Sequence, residues 1–286
     1  MNEVPKSSIP GVVMAGTVPQ EPPTILVIGP EKSGKSTLSA SLKGWPEPGK
    51  EPLVLAFDAT GPDSCAAIGY PVPLIKIRDQ PGPTWFEKAR FTLGTIEVAR
   101  RSPDFPYGSI VVDCASTMVE RLFEDARRAI TSKDTRQVYG VILEQGREIM
   151  SRIHDIGIPT VWLSWLREPF IIEETESGQK KKRQTLGGPL ITGNFRAKLA
   201  GTVHLIAVLE KVNVGPNAQG ADTLGYARSL HTRTWAGIEA GGRYILPEPF
   251  PAHLGFMLDA ILKRGQFAPK AVIPPEQSTA VAAQAQ

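Results

Sequence analysis

Apolar positions follow two rhythms along this chain. Short continuous runs of apolar and β-branched residues recur at TILVIG (24–29), PLVLAFD (52–58), PLIKI (73–77), SIVVD (109–113) and PTVWLSWL (159–166). A strand that is apolar at consecutive positions is covered on both faces, which is the habit of a parallel sheet packed between helices. The intervening stretches 83–101 and 116–158 set apolar residues at helical spacing among Glu87, Lys88, Arg90, Glu120, Arg121 and Arg127, and they predict amphipathic helices. Strand and helix in alternation predict an α/β fold with a mostly parallel central sheet. After Trp165 the rhythm changes. A polar stretch over 166–189 leads to TVHLIAVLEKV (202–212) and YARSLHTRTWAG (226–237), read as later strands joined by hairpins and antiparallel. A last amphipathic helix is expected over 251–264, and no internal repeat is found.

Composition narrows this further. The first residues are rich in Pro, Gly and Ser and the last in Ala, Gln and Pro, so mobile tails are expected over 1–21 and 265–286, flanking one domain at 22–264. With 286 residues, 41% of them apolar, the chain can bury a substantial core. A net charge of only +3 excludes a uniformly basic binder of polyanions, so any nucleic-acid role must rest on where charge is placed. Cys65 and Cys114 lack the spacing of a metal or redox pair, and buried thiols in a reducing cytoplasm are expected. No apolar run approaches the roughly 18 residues of a membrane span, and the N-terminus lacks the apolar segment of a secretory signal; a cytoplasmic protein without membrane contact is expected.

The most specific feature is the stretch ILVIG-PEKS-GKSTLSASL, in which a strand ends at Gly29 and a helix is expected to open after Gly34, Lys35 and Ser36. At this spacing the loop Gly29, Pro30, Glu31, Lys32, Ser33 and Gly34 can turn backbone N–H groups onto a β-phosphate, with the following helix pointing its positive end at the same anion. Lys35 would reach the β- and γ-phosphates, the Ser36 hydroxyl would ligate a magnesium ion, and Thr37 completes the cradle. ATP and Mg2+ are the expected cofactors. A second acidic partner should end a buried strand beside the loop, and Asp113 at the end of SIVVD meets that requirement. Asp58, at the end of LVLAFD, competes for the same role or for polarising the attacking water.

The loop GPEKSGKST (29–37) and the order of the strand segments resemble the RecA recombinases. The closing blocks PLITGNFRAKLAGTVHLIAVL and RSLHTRTWAGIEAGGRYILPEP, in a chain of this length, are similar to those of phage-encoded RecA-like ATPases, including single-strand annealing proteins. The likeness spans roughly 22–264 and implies a RecA-like P-loop core, Gly29 to Ser36 as the nucleotide site, Asp113 as the magnesium-side acid, and action on the DNA of a phage in a bacterial host. Two departures are visible. Thr60 stands where the family commonly has a water-activating glutamate, leaving Asp58 or Asp63 as substitutes, and LSWLR offers Ser164, Trp165 and Arg167 where a polar amide usually senses the γ-phosphate.

Lys180, Lys181, Lys182 and Arg183 follow Ser177 and Gly178 in an expected exposed hairpin or loop, at the place where the resemblance implies a DNA-contacting loop. They either track a phosphate backbone or form a solvated run neutralised by Glu173, Glu174 and Glu176. Trp165 and Phe170 are candidates for base stacking or for the core. Among Arg196, Lys198, Arg228, Arg233 and Arg243, one cation is a candidate to complete a neighbouring subunit's site. His204, on an apolar strand, is read as a hydrogen-bonded core residue, and His154 and His231 form no ligand set with it. The leading function is a DNA-stimulated ATPase in recombination, single-strand annealing or replication. It would assemble as a ring or filament on single-stranded DNA, alongside a single-strand-binding or other replication protein. A nucleotide-gated assembly protein with little hydrolysis and a P-loop kinase are the alternatives.

Overall fold

The computed structural model describes residues 22–58, 65–66, 69–131, 135–176, 179–191, 193–216, 224–244 and 246–262. The expected tails at 1–21 and 265–286, together with Thr60 and Asp63, lie outside them.

Eight strands form the main path of the central sheet: β1 (Thr24–Gly29), β2 (Glu51–Ala56), β3 (Leu74–Lys76), β4 (Tyr107–Asp113), β5 (Thr160–Arg167), β9 (Leu205–Pro216), β10 (Leu224–His231) and β12 (Phe250–Pro251). Their order is β12-β10-β9-β1-β5-β4-β2-β3. Every pairing from β9 to β3 is parallel, while β10 joins β9 and β12 antiparallel. Two short strands, β8 (Gly188–Pro189) and β11 (Gly241–Gly242), add antiparallel to β5 and β9. The remaining strands, β6 (Phe170–Glu176) and β7 (Gln179–Thr185), form a separate hairpin. This is the α/β architecture expected from the sequence, a mostly parallel central sheet with antiparallel late strands, with one difference in pairing. β9 is not simply part of an antiparallel hairpin, because its first half is buried and pairs parallel to β1. Only its other edge accepts β10.

Helices cover both faces of the sheet. Strand β1 alternates its side chains between the two layers. Leu26 and Ile28 join one core with α2 (Trp85–Ala99), α3 (Ala115–Ala129), α4 (Thr135–Asp155) and α5 (Gly193–Thr202). Ile25 and Val27 face the other, with α1 (Lys35–Leu38) and α6 (Leu254–Leu262). All four of these β1 side chains are 0% exposed, so the consecutive apolar run is the direct trace of burial on both sides. Close packing fixes the layers: a Cβ added to Gly146 on α4 would lie 2.4 Å from the Phe195 ring on α5. The segment 232–237, expected to continue β10, is not strand. Among the described residues no helix is long and apolar enough to cross a membrane.

Candidate nucleotide site

The carboxyl ends of β1, β2, β4 and β5 open on one side of the sheet. Register aligns Gly29 with Trp165 and Ala56 with Asp113, so the residues that follow these strands converge. Gly29 has no room for a side chain: a Cβ there would stand 2.9 Å from Ser33 Oγ and 3.2 Å from the Leu209 carbonyl oxygen. The turn back toward the sheet uses positive φ at Lys32 (56°) and Gly34 (94°), a region that glycine enters without steric cost. The α-helical turn Lys35–Leu38 closes with Leu38 N–H donating to the Gly34 carbonyl at 3.0 Å. Its first N–H groups have no intrahelical acceptor and face the loop. The expected helix is shorter than the sequence suggests. It passes directly into a 3-10 turn at Ser39–Leu42, where the Ser41 hydroxyl donates to the Leu38 carbonyl at 2.6 Å, and such local side-chain bonds compete with regular helix.

Lys35 is 7% exposed. Its Nζ donates to the Gly29 carbonyl at 2.8 Å and the Pro30 carbonyl at 2.6 Å. Burial pushes its pKa below the usual lysine value, while nearby Cys114, Asp113 and Glu31 pull it back up. Asp113 is 4% exposed at the end of β4. Burial holds its carboxyl above the usual aspartate value, a hydrogen bond from Ser36 opposes that, the Asp58 carboxylate adds to it, and Lys35 again opposes. Asp58 itself is tied to this strand end, because the N–H groups of Phe57 and Asp58 both donate to the Asp113 carbonyl, at 2.7 and 3.4 Å. These groups enclose a cleft of about 530 Å3 lined by Glu31, Lys32, Gly34, Lys35, Ser36, Thr37, Asp58, Asp113, Trp165 and Arg228.

The chemistry of this donor set fits a magnesium nucleotide. A buried ammonium bonded only to neutral carbonyls is stabilised when an anion arrives. Among the described residues Asp113 Oδ2 is buried without a hydrogen-bond partner, leaving a carboxylate lone pair beside the Ser36 hydroxyl. Two hard oxygen donors, with water and phosphate supplying the rest, suit Mg2+. Among the described residues no group of three or more His, Cys, Asp or Glu side chains could hold a metal, so any divalent ion here would depend largely on phosphate and water oxygens.

Other expected residues are distributed differently. Lys180, Lys181, Lys182 and Arg183 lie on β7 and pair with β6, the hairpin of the two arrangements expected, and the register sets Lys181 opposite Glu174 and Lys182 opposite Glu173. Ser164 is 0% exposed, shares a hydrogen bond of 3.0 Å with the Ser116 hydroxyl and donates to the Trp165 carbonyl. It is engaged with α3 rather than facing the cleft, where Trp165 takes the lining position instead. Phe170 is exposed under the Arg167 guanidinium. His204 is the buried, hydrogen-bonded histidine expected, its Nδ1 accepting from Thr24 N–H at 3.0 Å. Cys65 and Cys114 are buried and unpaired.

Of the late cations, Arg196 pairs with Glu239 at 3.4 Å, and Lys198 and Arg243 border a different cavity at the opposite ends of the strands. Arg228 reaches the phosphate loop of its own chain, donating from Nε to the Ser33 carbonyl at 2.9 Å. No local pattern could have singled it out, since 195 positions separate it from Ser33.

No curated protein matches the sequence. Among solved structures, the KaiC-like protein PH0186 from the hyperthermophilic archaeon Pyrococcus horikoshii OT3 is similar at a TM-score of 0.41 and 13% identity, covering 78% of this chain and 84% of that one. The profile of an AAA domain family matches residues 21–244. That match takes in the loop, both acidic strand ends and Arg228, and the chain accordingly belongs to the AAA domain family of ATP-binding P-loop NTPases.

Proposed function

We propose that this protein is a Mg2+-dependent ATPase that uses nucleotide to control its grip on single-stranded DNA during recombination, annealing or replication of a phage genome in a bacterial cytoplasm. The observation that carries the catalytic part is the convergence of buried Lys35, the Ser36 hydroxyl and the partly unsatisfied Asp113 carboxylate on one cleft. In this reading the loop N–H groups and Lys35 bind the β- and γ-phosphates and neutralise charge that develops during transfer to water. Ser36 and Asp113 hold the magnesium ion, which supplies further neutralisation of the phosphate oxygens when bound. Asp58, on the cleft wall, orients the attacking water in place of the glutamate that the sequence lacks at Thr60.

Support for the DNA part comes from the continuity of β5. Trp165 lines the cleft, Leu166 and Arg167 pair with β8, and shortly afterwards β6 begins the hairpin that carries the basic run. A change at the cleft therefore has a short, stiff route to the hairpin. Nucleotide can drive DNA binding only if the ATP state binds DNA better than the ADP or empty state, and β5 leads along the chain from the cleft to the start of the hairpin. The protein acts as a ring or filament, so that several hairpins follow one strand, and a single-strand-binding or other replication protein delivers the DNA.

ATP hydrolysis by the purified protein, with and without single-stranded DNA, tests this. A several-fold rise with DNA is expected. Tight ATP binding with no turnover on any nucleic acid would replace the motor with a nucleotide-gated assembly protein.

A further inference from the structure

Arg228 stands on β10 opposite Lys211 of β9. Its Nε donates to the Ser33 carbonyl at 2.9 Å, and a Cβ built on Gly34 would lie 2.7 Å from the same nitrogen and 3.0 Å from Cζ. The side chain is thus laid across the apex of the phosphate loop, and it lines the cleft. A neutral carbonyl is a modest partner for a guanidinium. Phosphate oxygens in the same cleft would accept charge-assisted, forked bonds of roughly twice that strength.

The strand that carries Arg228 is fixed from its other face. Adjacent residues of a strand point to opposite sides, and Ser229 and His231, which share the face opposite Arg228, are both tied down. Ser229 Oγ donates to Glu210 Oε2 at 3.4 Å. His231 lies between two carboxylates, with Nε2 2.8 Å from Glu210 and Nδ1 2.6 Å from Glu248. Glu248 also accepts from the Thr232 N–H and hydroxyl, at 2.8 and 3.0 Å. The Trp235 ring stacks on His231 at 4.4 Å with the planes 12° apart. This cluster holds the backbone of β10 still, so that Arg228 can exchange partners by moving its side chain alone and little order is lost on binding.

We propose that Arg228 is a nucleotide-binding residue acting within its own chain, which turns from the Ser33 carbonyl to the terminal phosphate of bound ATP and so distinguishes ATP from ADP. The proposal rests on the loop being the ATP site; it does not depend on the DNA reading. It also assigns a role to β10, which carries the sensor from the phosphate loop to the edge of the sheet.

The test is the affinity of the full chain for a non-hydrolysable ATP analogue and for ADP, both with Mg2+, in the wild type, Arg228→Ala and Arg228→Lys. Removing a charge-assisted bond predicts about tenfold or more weaker binding of the analogue by Arg228→Ala, a smaller change for ADP, and an intermediate value for Arg228→Lys, which keeps a point charge but not the fork. Analogue affinity within about twofold of wild type, or equal weakening for analogue and ADP, would overturn the proposal. A mixing experiment separates the two directions of action. If Arg228 served the neighbouring subunit, Lys35→Ala and Arg228→Ala chains would restore hydrolysis when combined; no recovery is expected. Should Arg228→Ala fail to fold, Arg228→Lys and Arg228→Gln give the same readout. Failure of the wild type to bind ATP would sink the nucleotide reading itself, whereas absence of DNA stimulation would leave Arg228 untouched.

Discussion

The cleft and the β6–β7 hairpin both gather positive charge, but they hold it in opposite ways. Lys35 is buried behind a loop anchored to β1, a strand paired on both edges. The basic run lies on β7, which among the described residues pairs only with β6. Taking a cation out of water is costly unless an anion compensates, so a phosphate bound in the cleft would offset the burial of Lys35. A run of like charges along one strand acts by number, and its effect is screened by salt. One region works through the position of a single side chain. In the proposed function the other would work through summed charge.

Lys35→Ala puts that contrast under the greatest strain. Removing the buried cation should lower ATP hydrolysis by about a thousandfold or more, the scale expected when one preorganised transition-state interaction is removed, with an unchanged circular dichroism spectrum. Turnover that survived would mean that hydrolysis occurs elsewhere. Asp113→Asn comes next. It should reduce Mg2+-supported turnover by roughly a hundredfold while leaving metal-free nucleotide binding nearly intact, measured by rate and by calorimetry with and without chelator. The same variant should melt higher at neutral pH. Burial raises the pKa of Asp113 in the folded state, so ionising it opposes folding. That penalty is absent below the unfolded pKa, grows as pH rises toward the folded value and is complete above it. The gain in Tm should therefore vanish in acid. A gain that persisted unchanged at low pH would show that the charge is not its source.

Legibility follows the same division. The loop was readable because it depends on backbone conformation over consecutive residues: glycine at 34 suits a φ of 94°, and at 29 a Cβ would stand 3.2 Å from the Leu209 carbonyl oxygen. Asp113 was readable because a buried strand ending in an acid leaves few structural uses for that charge. Arg228 was legible only as one of five late cations, and Trp165 only as one of three residues offered near the end of β5. Their positions depend on which strands become neighbours, and β10 meets the loop only because β9 pairs with β1. Ser164 misled for a related reason: its place at the end of β5 was right, but its hydroxyl bonds Ser116 on α3, an interaction that spacing along β5 cannot reveal. The short first helix was likewise hidden, since alanine, serine and leucine in 38–42 are compatible with either helical form.

The smallest effects belong to the hairpin, and its register says how they should divide. Lys181 and Lys182 sit opposite Glu174 and Glu173, whereas Lys180 faces Thr175 and Arg183 faces Ile172. Opposite charges directly across a strand pair attract, so the two central lysines have counter-charges at their own register positions and the outer two do not. Each phosphate neutralised on a single strand contributes about 0.7 to the slope of log affinity against log salt. Replacing Lys180 and Arg183 together by alanine should flatten that slope by about 1.4, because two phosphates would no longer be neutralised. Replacing Lys181 and Lys182 should flatten it by less, and Glu173→Gln with Glu174→Gln should tighten binding by releasing the central pair. Fluorescence anisotropy of a labelled oligonucleotide over a salt series reads all three. Equal changes for the two basic pairs would show that the acidic strand neutralises nothing, and a flat salt response in the wild type would remove the hairpin from the DNA path altogether.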